Sequence, residues 1–261
     1  MAAIIQTILL GMARALERVR NALIYAAAGT MRLREIREAI ALSWGDFNAE
    51  DDDVHSGLMP WEKVLVERFI QPGNRVLLVG CGTGRDLIPL VEMGCHVTGI
   101  EPAATAAARV RRLVEERRFD APIIDGYFED VPLPGVFDVF VFSYFCLSYI
   151  PGSQRRTDVL AKARALLAPG GRIIVSFLFR QKPPRGRLIA IGRLAGALSG
   201  SDWRLEPGDA LERGGIAPPA INYEHMFGPG EIEREAAAAG LAVAGRGGHP
   251  HHEPFIVFVP A

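Results

Sequence analysis

The sequence has no excess of charge of either sign. Its 261 residues include 29 Lys and Arg against 30 Asp and Glu, a formal net charge of −1. Proteins built to bind nucleic acid normally show a basic surplus or stripe, so the composition disfavours that class. With 49% hydrophobic and 23% charged residues, the chain also resembles neither disordered nor multi-span membrane proteins. Its length suits one large α/β domain or two small ones.

Cysteine is scarce, and long apolar runs are missing. The cysteines, Cys81, Cys95 and Cys146, are odd in number and too few for a disulfide scaffold, which favours a cytoplasmic location. The apolar segment 2–12 has no basic residues before it and is shorter than the roughly 20 residues that span a bilayer. We therefore expect neither a signal peptide nor a stable membrane insertion.

The N-terminal region, 1–45, is predicted to be a helical extension or lid. In its first helix, large apolar residues recur at alternating spacings of four and three, which places them on one stripe. This N-terminal stripe consists of Ile5, Leu9, Met12, Leu16, Val19 and Leu23. We expect it to pack on the chain's own domain; a dimer contact, a lid over a ligand site and an interfacial membrane contact stay open. A second helix is predicted over 31–44.

After an acidic linker, 46–60, helical segments alternate with short apolar runs. Runs such as 75–79 are typical of buried parallel strands. The alternation predicts an α/β fold over 61–261, with a mostly parallel sheet covered by helices on both faces. The regularity breaks over 181–228, where Pro-Pro and Pro-Gly pairs surround one helix-like piece, 187–198. We predict a cap insertion there, facing the substrate.

The most informative segment is a glycine-rich turn between a predicted strand and a predicted helix. Gly80, Gly82 and Gly84 follow the strand 75–79. Glycine lets a ligand approach the backbone and the helix N-terminus offers free N–H groups, so this context indicates a nucleotide site. Arg85 stands where the dinucleotide fingerprint needs its third glycine. Glu101 ends the next predicted strand, where a carboxylate can accept two hydrogen bonds from a ribose diol.

In these segments the sequence resembles the class I S-adenosylmethionine (SAM)-dependent methyltransferases. The resemblance covers 61–259 and rests on VLLVGCGTGRD, GIEP, VPLPGVFDVFVFSYF and LAPGGRIIVSF, in the family's order and spacing. It implies a Rossmann-like, seven-stranded sheet with an antiparallel last strand. It also implies SAM as cofactor, bound across the carboxyl ends of the first, second and fourth strands, and S-adenosylhomocysteine (SAH) as its product.

The resemblance further implies which residues of this chain contact the cofactor. The methionine part of SAM would contact the glycine turn, at Gly80, Cys81, Gly82 and Gly84, and the ribose would contact Glu101 and Pro102. The adenine would lie beside Phe128 and Glu129, and Ser143 and Tyr144 would face the methyl-transfer site.

Two positions depart from the family pattern. Leu78 stands where the family usually has Asp or Glu, which removes one indirect contact to the SAM amino group. The family also often has an Asp after the third strand that binds the adenine amine. Alignment on Pro132 puts Tyr127 there, whereas alignment on the strand end puts Asp125 there. Either adenine is bound mainly by backbone and apolar contacts, or one of these residues substitutes.

Candidates for chemistry on the acceptor are scattered. Tyr144 follows the fourth strand, at the crevice where open α/β sheets bind ligands, and either forms a substrate wall or continues the core. His225 belongs to a His-x-Phe element of a kind that comparable methyltransferases carry, and it is a candidate base with a structural role as the alternative. His55 belongs to the linker, which we expect to border the SAM pocket, and it is a weaker candidate.

We predict an enzyme that transfers the methyl group of SAM to a small-molecule acceptor. The reaction is an in-line displacement, in which alignment and exclusion of water supply most of the rate. The alternatives are a non-catalytic SAM- or SAH-binding regulatory protein and, disfavoured by Arg85, an NAD(P)-dependent oxidoreductase. A solvated loop is the interpretation of His249, His251 and His252, and no metal site is predicted. Monomer and homodimer, the latter through the N-terminal helix, both stay open.

Overall fold

A computed structural model of the chain describes residues 2–47, 56–133, 135–213, 221–248 and 254–261. The strands are β1 (Arg75–Val79), β2 (His96–Glu101), β3 (Ile123–Asp125), β4 (Phe137–Phe142), β5 (Leu167–Ser176), β6 (Asp209–Arg213), β7 (Ile221–His225), β8 (Leu241–Gly247) and β9 (Phe255–Pro260). The helices are α1 (Ala2–Thr30), α2 (Leu33–Phe47), α3 (Pro60–Phe69), α4 (Leu87–Glu92), α5 (Ala104–Glu116), α6 (Ser153–Ala165), α7 (Gly186–Ser199) and α8 (Glu231–Ala238), with a 3-10 turn at Cys146–Tyr149.

Seven strands form one sheet in the order β3-β2-β1-β4-β5-β9-β8. The first five strands of this order run parallel, and β9 is antiparallel to both of its neighbours, which confirms the predicted sheet. In β1, Leu77 and Val79 belong to one apolar core and Val76 and Leu78 to the other. Both faces of β1 are therefore buried, which explains its continuous apolar sequence.

The register of the sheet brings three loops to one edge. Val79, near the end of β1, lies opposite Ile100 on β2 and Phe142 on β4. The chain segments that follow β1, β2 and β4 therefore leave the sheet side by side. In open parallel sheets this edge is where ligands bind.

The segment 181–228 leaves the sheet and returns to it beside its starting point. The Phe227 N–H donates to the Leu178 carbonyl at 2.8 Å, and the Arg180 N–H donates to the Phe227 carbonyl at 2.9 Å. The predicted helical piece is confirmed as α7, but the antiparallel pair β6–β7 was not predicted. Each of its strands is only five residues long and is interrupted by polar or charged residues, so neither forms a continuous apolar run.

Helices α1 and α7 meet backbone to backbone. A Cβ atom at Gly29 would lie 2.0 Å from the Gly192 carbonyl oxygen, and a Cβ atom at Gly192 would lie 2.7 Å from the Tyr25 carbonyl oxygen. Only glycine fits so close an approach. The C-terminal part of α1 is thereby fixed against the segment 181–228.

The N-terminal stripe does not pack on the rest of the chain. Its six residues are 51–69% exposed. The expectation that it contacts its own domain is therefore wrong, because α1 uses a different face, with Tyr25 and Ala28, for that contact. Across the described residues, every helix lacks the combination of length and apolarity needed to cross a membrane.

A buried polar network fixes the β6–β7 hairpin. His225 is completely buried, with Nδ1 2.8 Å from Asp209 Oδ1 and Nε2 3.2 Å from Glu231 Oε1. The Tyr223 hydroxyl donates to the same Asp209 oxygen at 2.9 Å. Only the cationic form of an imidazole can donate to a carboxylate from both nitrogens, so this arrangement favours protonation of His225. Burial and the nearby Arg156 lower the pKa of His225, but the hydrogen bonds to the two carboxylates outweigh them and the net shift is upward.

We predict that His225 stabilises the fold in a pH-dependent way. Because its pKa is raised above the ordinary 6.5 in the folded state, its contribution is complete below 6.5 and is lost as the pH rises through the folded-state pKa. His225→Gln should remove this dependence and lower the free energy of unfolding by about 3–5 kcal/mol, because it breaks a buried ion pair. Urea unfolding across a pH series measures both effects, with exposed His96→Gln as the control. A wild-type pH profile in His225→Gln would contradict the prediction.

Candidate functional site

A cavity opens where β1, β2 and β4 end. It contains about 1040 Å³ of space free of protein atoms, including its open mouth. One face of α2 completes its wall. The wall contains these predicted residues: Gly80, Cys81, Gly82, Glu101, Pro102, Phe128, Glu129, Ser143 and Tyr144.

The glycine turn is bound to the end of the neighbouring strand. Gly80 and Gly82 have φ angles of +74° and +54°, left-handed values that favour glycine. The N–H groups of Gly80 and Cys81 donate to the Ile100 carbonyl at 2.9 and 3.1 Å. Burial raises the pKa of the Cys81 thiol, which stays protonated and is therefore a small wall residue rather than a nucleophile.

Gly84, also predicted to contact the methionine part of SAM, is not part of the cavity wall. Its φ angle is +106°, and a Cβ atom there would lie 3.1 Å from the side chains of Val110 and Leu113 on α5. The structure thus places Gly84 at a close contact between the turn and a helix.

Glu101 connects the end of β2 to the glycine turn. Its side chain is 5% exposed, and its two carboxylate oxygens accept hydrogen bonds from the Gly82 and Ala103 N–H groups, each at 2.8 Å. Burial raises the pKa of this carboxyl, and the two backbone hydrogen bonds oppose the shift. A carboxylate offers about four acceptor positions, so two remain for the hydroxyls of a ribose. The position and capacity of Glu101 fit SAM.

A buried ionic network lies beside the turn and was not predicted. Leu78 is fully buried and supplies no acid. The Arg85 guanidinium forms two 2.7 Å bonds to Glu62 and a 2.7 Å ion pair with Asp86. Ser143 donates a hydrogen bond to Asp86. One guanidinium and two carboxylates leave a net negative charge, which suits the cationic groups of SAM. The sequence places Arg85 and Asp86 beside Gly84, but nothing in it links them to Glu62.

The structure separates the two candidates for the adenine position. Tyr127 lines the cavity, whereas Asp125 does not and forms an ion pair with Arg111 at the surface. The Arg37 guanidinium of α2 lies 3.8 Å from the centre of the Tyr127 ring, and the Tyr127 hydroxyl donates to the Arg37 carbonyl at 2.8 Å. Arg37 also lies 3.3 Å from the Glu129 carboxylate. Helix α2 is therefore attached to the predicted adenine end of the cavity.

The segment after β4 has a strained backbone. Tyr144 and Phe145 have positive φ angles of +37° and +64°, which non-glycine residues rarely adopt. The Phe145 N–H donates to Ser176 Oγ at 3.0 Å, which holds this conformation. Strain of this kind clusters at functional sites. It turns Tyr144 into the cavity wall, close to Arg85 and Trp44.

The wall contributed by α2 was not predicted from the sequence. Ile40, Ala41 and Trp44 line the cavity, and the Trp44 ring centre lies 4.9 Å from that of Tyr149 and 6.3 Å from that of Tyr144. Helical spacing places residues 40 and 44 on one face, and this spacing is the only sign in the sequence that they act together. The spacing does not say what that face contacts.

His225, predicted as a catalytic base, is placed outside this cavity. It has no exposed surface, and both ring nitrogens are engaged by Asp209 and Glu231. This geometry supports the structural alternative. Glu206, Asp209 and His225 are close enough to share a cation, but Glu206 and Asp209 already accept hydrogen bonds from Arg156 and Tyr223. The remaining histidine candidates lie outside the described residues: His55, His249, His251 and His252.

Comparison with known proteins identifies relatives over most of the chain. The methyltransferase domain family matches residues 76–171. A ubiquinone biosynthesis O-methyltransferase of Pseudomonas paraeruginosa is 30% identical over 208 residues, which is 79% of this chain and 81% of that protein. An uncharacterised methyltransferase of Geobacillus kaustophilus is 30% identical over 145 residues, 55% of this chain and 64% of its own length.

Solved structures share the fold. The glycopeptide N-methyltransferase MtfA complexed with SAM aligns with a TM-score of 0.56 at 18% identity, over 76% of this chain and 85% of its own. The CcbJ methyltransferase from Streptomyces caelestis aligns with a TM-score of 0.57 at 19% identity, over 77% and 88%. The 30% identity with the Pseudomonas paraeruginosa methyltransferase over 79% of this chain confirms the predicted enzyme class in preference to the oxidoreductase alternative. The chain belongs to the class I SAM-dependent methyltransferases, with SAM as its cofactor and a small molecule as its acceptor.

Proposed function

We propose that the cavity at the ends of β1, β2 and β4 holds SAM in one defined orientation. The observation that carries this is Glu101, a buried carboxylate in the cavity wall that is fixed by two backbone donors and retains acceptor capacity for a ribose. The backbone of Gly80, Cys81 and Gly82 would line the methionine part. Pro102 would lie beside the ribose. Adenine would lie against Phe128, with Glu129 at its rim.

We propose that methyl transfer takes place between Ser143, Tyr144 and Trp44. Bound SAM supplies an electrophilic methyl carbon. Tyr144 and Trp44 would align the acceptor and exclude water, which suffices for in-line displacement when the acceptor atom is unprotonated. His225 has no part in this proposal, because its ring does not reach the cavity.

We propose that 1–45 and 181–228 act together as the cap of the 61–261 domain, with 46–60 as the linker. The Gly29–Gly192 contact joins α1 to α7, and α2 lies over the cofactor cavity. Nucleic acid is not expected as a partner, because the net charge is −1. The free cysteines, Cys81, Cys95 and Cys146, support a cytoplasmic location.

Glu101→Gln tests the cofactor site. Loss of the charged hydrogen bonds, worth about 1.5–3 kcal/mol, should weaken SAM and SAH binding by about 10- to 150-fold. Titration calorimetry measures the affinity. Asp125→Asn is the matched control, because Asp125 lies opposite Glu101 at the end of the next strand but outside the cavity. Unchanged SAM affinity in folded Glu101→Gln would remove this residue from the site.

Arg37→Met tests the attachment of α2. Removal of the guanidinium from the Tyr127 ring and from Glu129 should accelerate SAH dissociation by about tenfold, equivalent to about 1.4 kcal/mol. Stopped-flow displacement measures the rate. Arg34→Met is the control, because Arg34 lies on the same helix but is exposed. Among the described residues, its one ion pair is with Glu38. Equal dissociation rates in the two variants would mean that α2 does not retain the cofactor.

We propose that the exposed N-terminal stripe mediates a homodimer, since large exposed apolar surfaces mark association sites. Leu9→Glu and Leu16→Glu should convert a dimer to a monomer in sedimentation velocity, because each would bury a charge. Gln6→Glu, a charge introduced at a polar position of the same helix, should leave the dimer intact. A wild-type protein that sediments as a monomer at every concentration would contradict this.

A further inference from the structure

A second cavity lies beside the cofactor cavity and shares a wall with it. Ile40, Trp44 and Tyr149 line both. The second cavity contains about 680 Å³ of space free of protein atoms, including its open mouth. Its remaining wall comes from Ser43 of α2 and from the β6–β7 hairpin. A molecule in this space would lie next to the site proposed for methyl transfer.

The hairpin gives this second cavity an acidic floor. Ala210 pairs with Glu224 and Glu212 pairs with Asn222, so these four residues share one face of the two strands. Glu212 and Glu224 line the cavity, and its wall contains no Lys or Arg among the described residues. Asn222 accepts a hydrogen bond from Ser43, which attaches the floor to α2.

The two carboxylates act on each other. Burial and then the charge of Glu212 raise the pKa of Glu224, and the attraction of Arg185 opposes them only in part. Arg185 is exposed and is not a wall residue. A ligand cation between Glu212 and Glu224 would relieve the repulsion between the two carboxylates.

Aromatic rings complete the environment. Trp44 and Tyr149 form one side of the second cavity, with their ring centres 4.9 Å apart and their planes at 72°. Burial and the charge of Glu224 raise the pKa of the Tyr149 phenol, which therefore stays neutral and contributes no charge of its own. Aromatic faces together with carboxylates are the combination that recognises ammonium groups.

We propose that the second cavity is the acceptor site and that it takes a molecule with a cationic amine, whose ammonium group is bound by Glu212 and Glu224 against Trp44 and Tyr149. The ammonium group anchors the acceptor, and a different, uncharged atom with a free lone pair would face the SAM cavity across the shared wall. That lone pair would form the bond to the methyl carbon as the carbon–sulfur bond of SAM breaks, SAH would leave, and any proton on the methylated atom would pass to solvent. This proposal rests on the proposed function, because the shared wall makes the cavity an acceptor site only if SAM occupies the first one. The carboxylates would select the charge of the acceptor. An acceptor that carries a carboxylate would meet two like charges and bind more weakly than its neutral counterpart.

The test compares ligands that share a skeleton and differ in charge. One series is tyramine, tyrosol and 4-hydroxyphenylacetate; a second is hexylamine, hexanol and hexanoate. Binding to the full-length protein saturated with SAH is measured by calorimetry. In at least one series the amine should bind about tenfold more tightly than the alcohol, and the acid more weakly still. Glu212→Gln and Glu224→Gln should each reduce amine affinity by about tenfold and leave alcohol affinity unchanged, whereas exposed Glu92→Gln should change neither.

The outcomes distinguish failure of the acceptor site from failure of the proposed SAM site. If SAH binds but neither amine binds, or amine and alcohol bind equally in both series, the amine site is overturned and the cofactor site stands. An amine preference that survives in both glutamine variants also overturns it, since the carboxylates would not be its source. If wild-type protein binds no SAH, the proposed cofactor site fails and the acceptor site fails with it.

Discussion

The carboxylate of Glu101 is the constraint on which the cofactor site depends. Each of its oxygens accepts one backbone N–H, from Gly82 in the glycine turn and from Ala103 at the start of α5. A buried carboxylate without these donors would be costly, so the turn and the end of β2 are held in one relative position before any ligand binds. The charge that fixes the protein loops is also the charge proposed to bind the ribose. In this proposal, the same carboxylate stabilises the loops and recognises the cofactor.

The parallel half of the fold could be predicted from the sequence because its signals are local. Leu77 and Leu78 point to opposite faces of β1 and both are buried, so the strand is a continuous apolar run. The glycine turn and Glu101 follow from the ends of neighbouring strands. Each of these inferences needs only a short segment and the rule that ligands bind where parallel strands end.

The rest could not be predicted because it depends on which distant segments meet. Glu62 and Arg85 form a buried pair that joins α3 to the glycine turn, and Arg37 reaches Tyr127 from α2. The sequence around each of these residues does not indicate which distant residue it contacts. The N-terminal stripe shows the same limit, since helical periodicity identifies an apolar face but not its partner. Leu9 and Leu16 would have the same spacing whether buried or exposed, and they are exposed.

The two faces of the β6–β7 hairpin have different roles, one structural and the other proposed to bind the acceptor. Asp209 and His225 face the buried network, while Glu212 and Glu224 face the second cavity. Because successive side chains of a strand point to opposite faces, a substitution at Glu224 changes the cavity without altering the neighbouring His225 pair. The buried histidine and its carboxylates hold the hairpin in place, so the proposed acceptor site rests on a fixed pair of strands. His225 and Glu224 are adjacent in the sequence, but His225 is completely buried whereas Glu224 lines the second cavity. Only Glu224 is therefore placed to contact an acceptor.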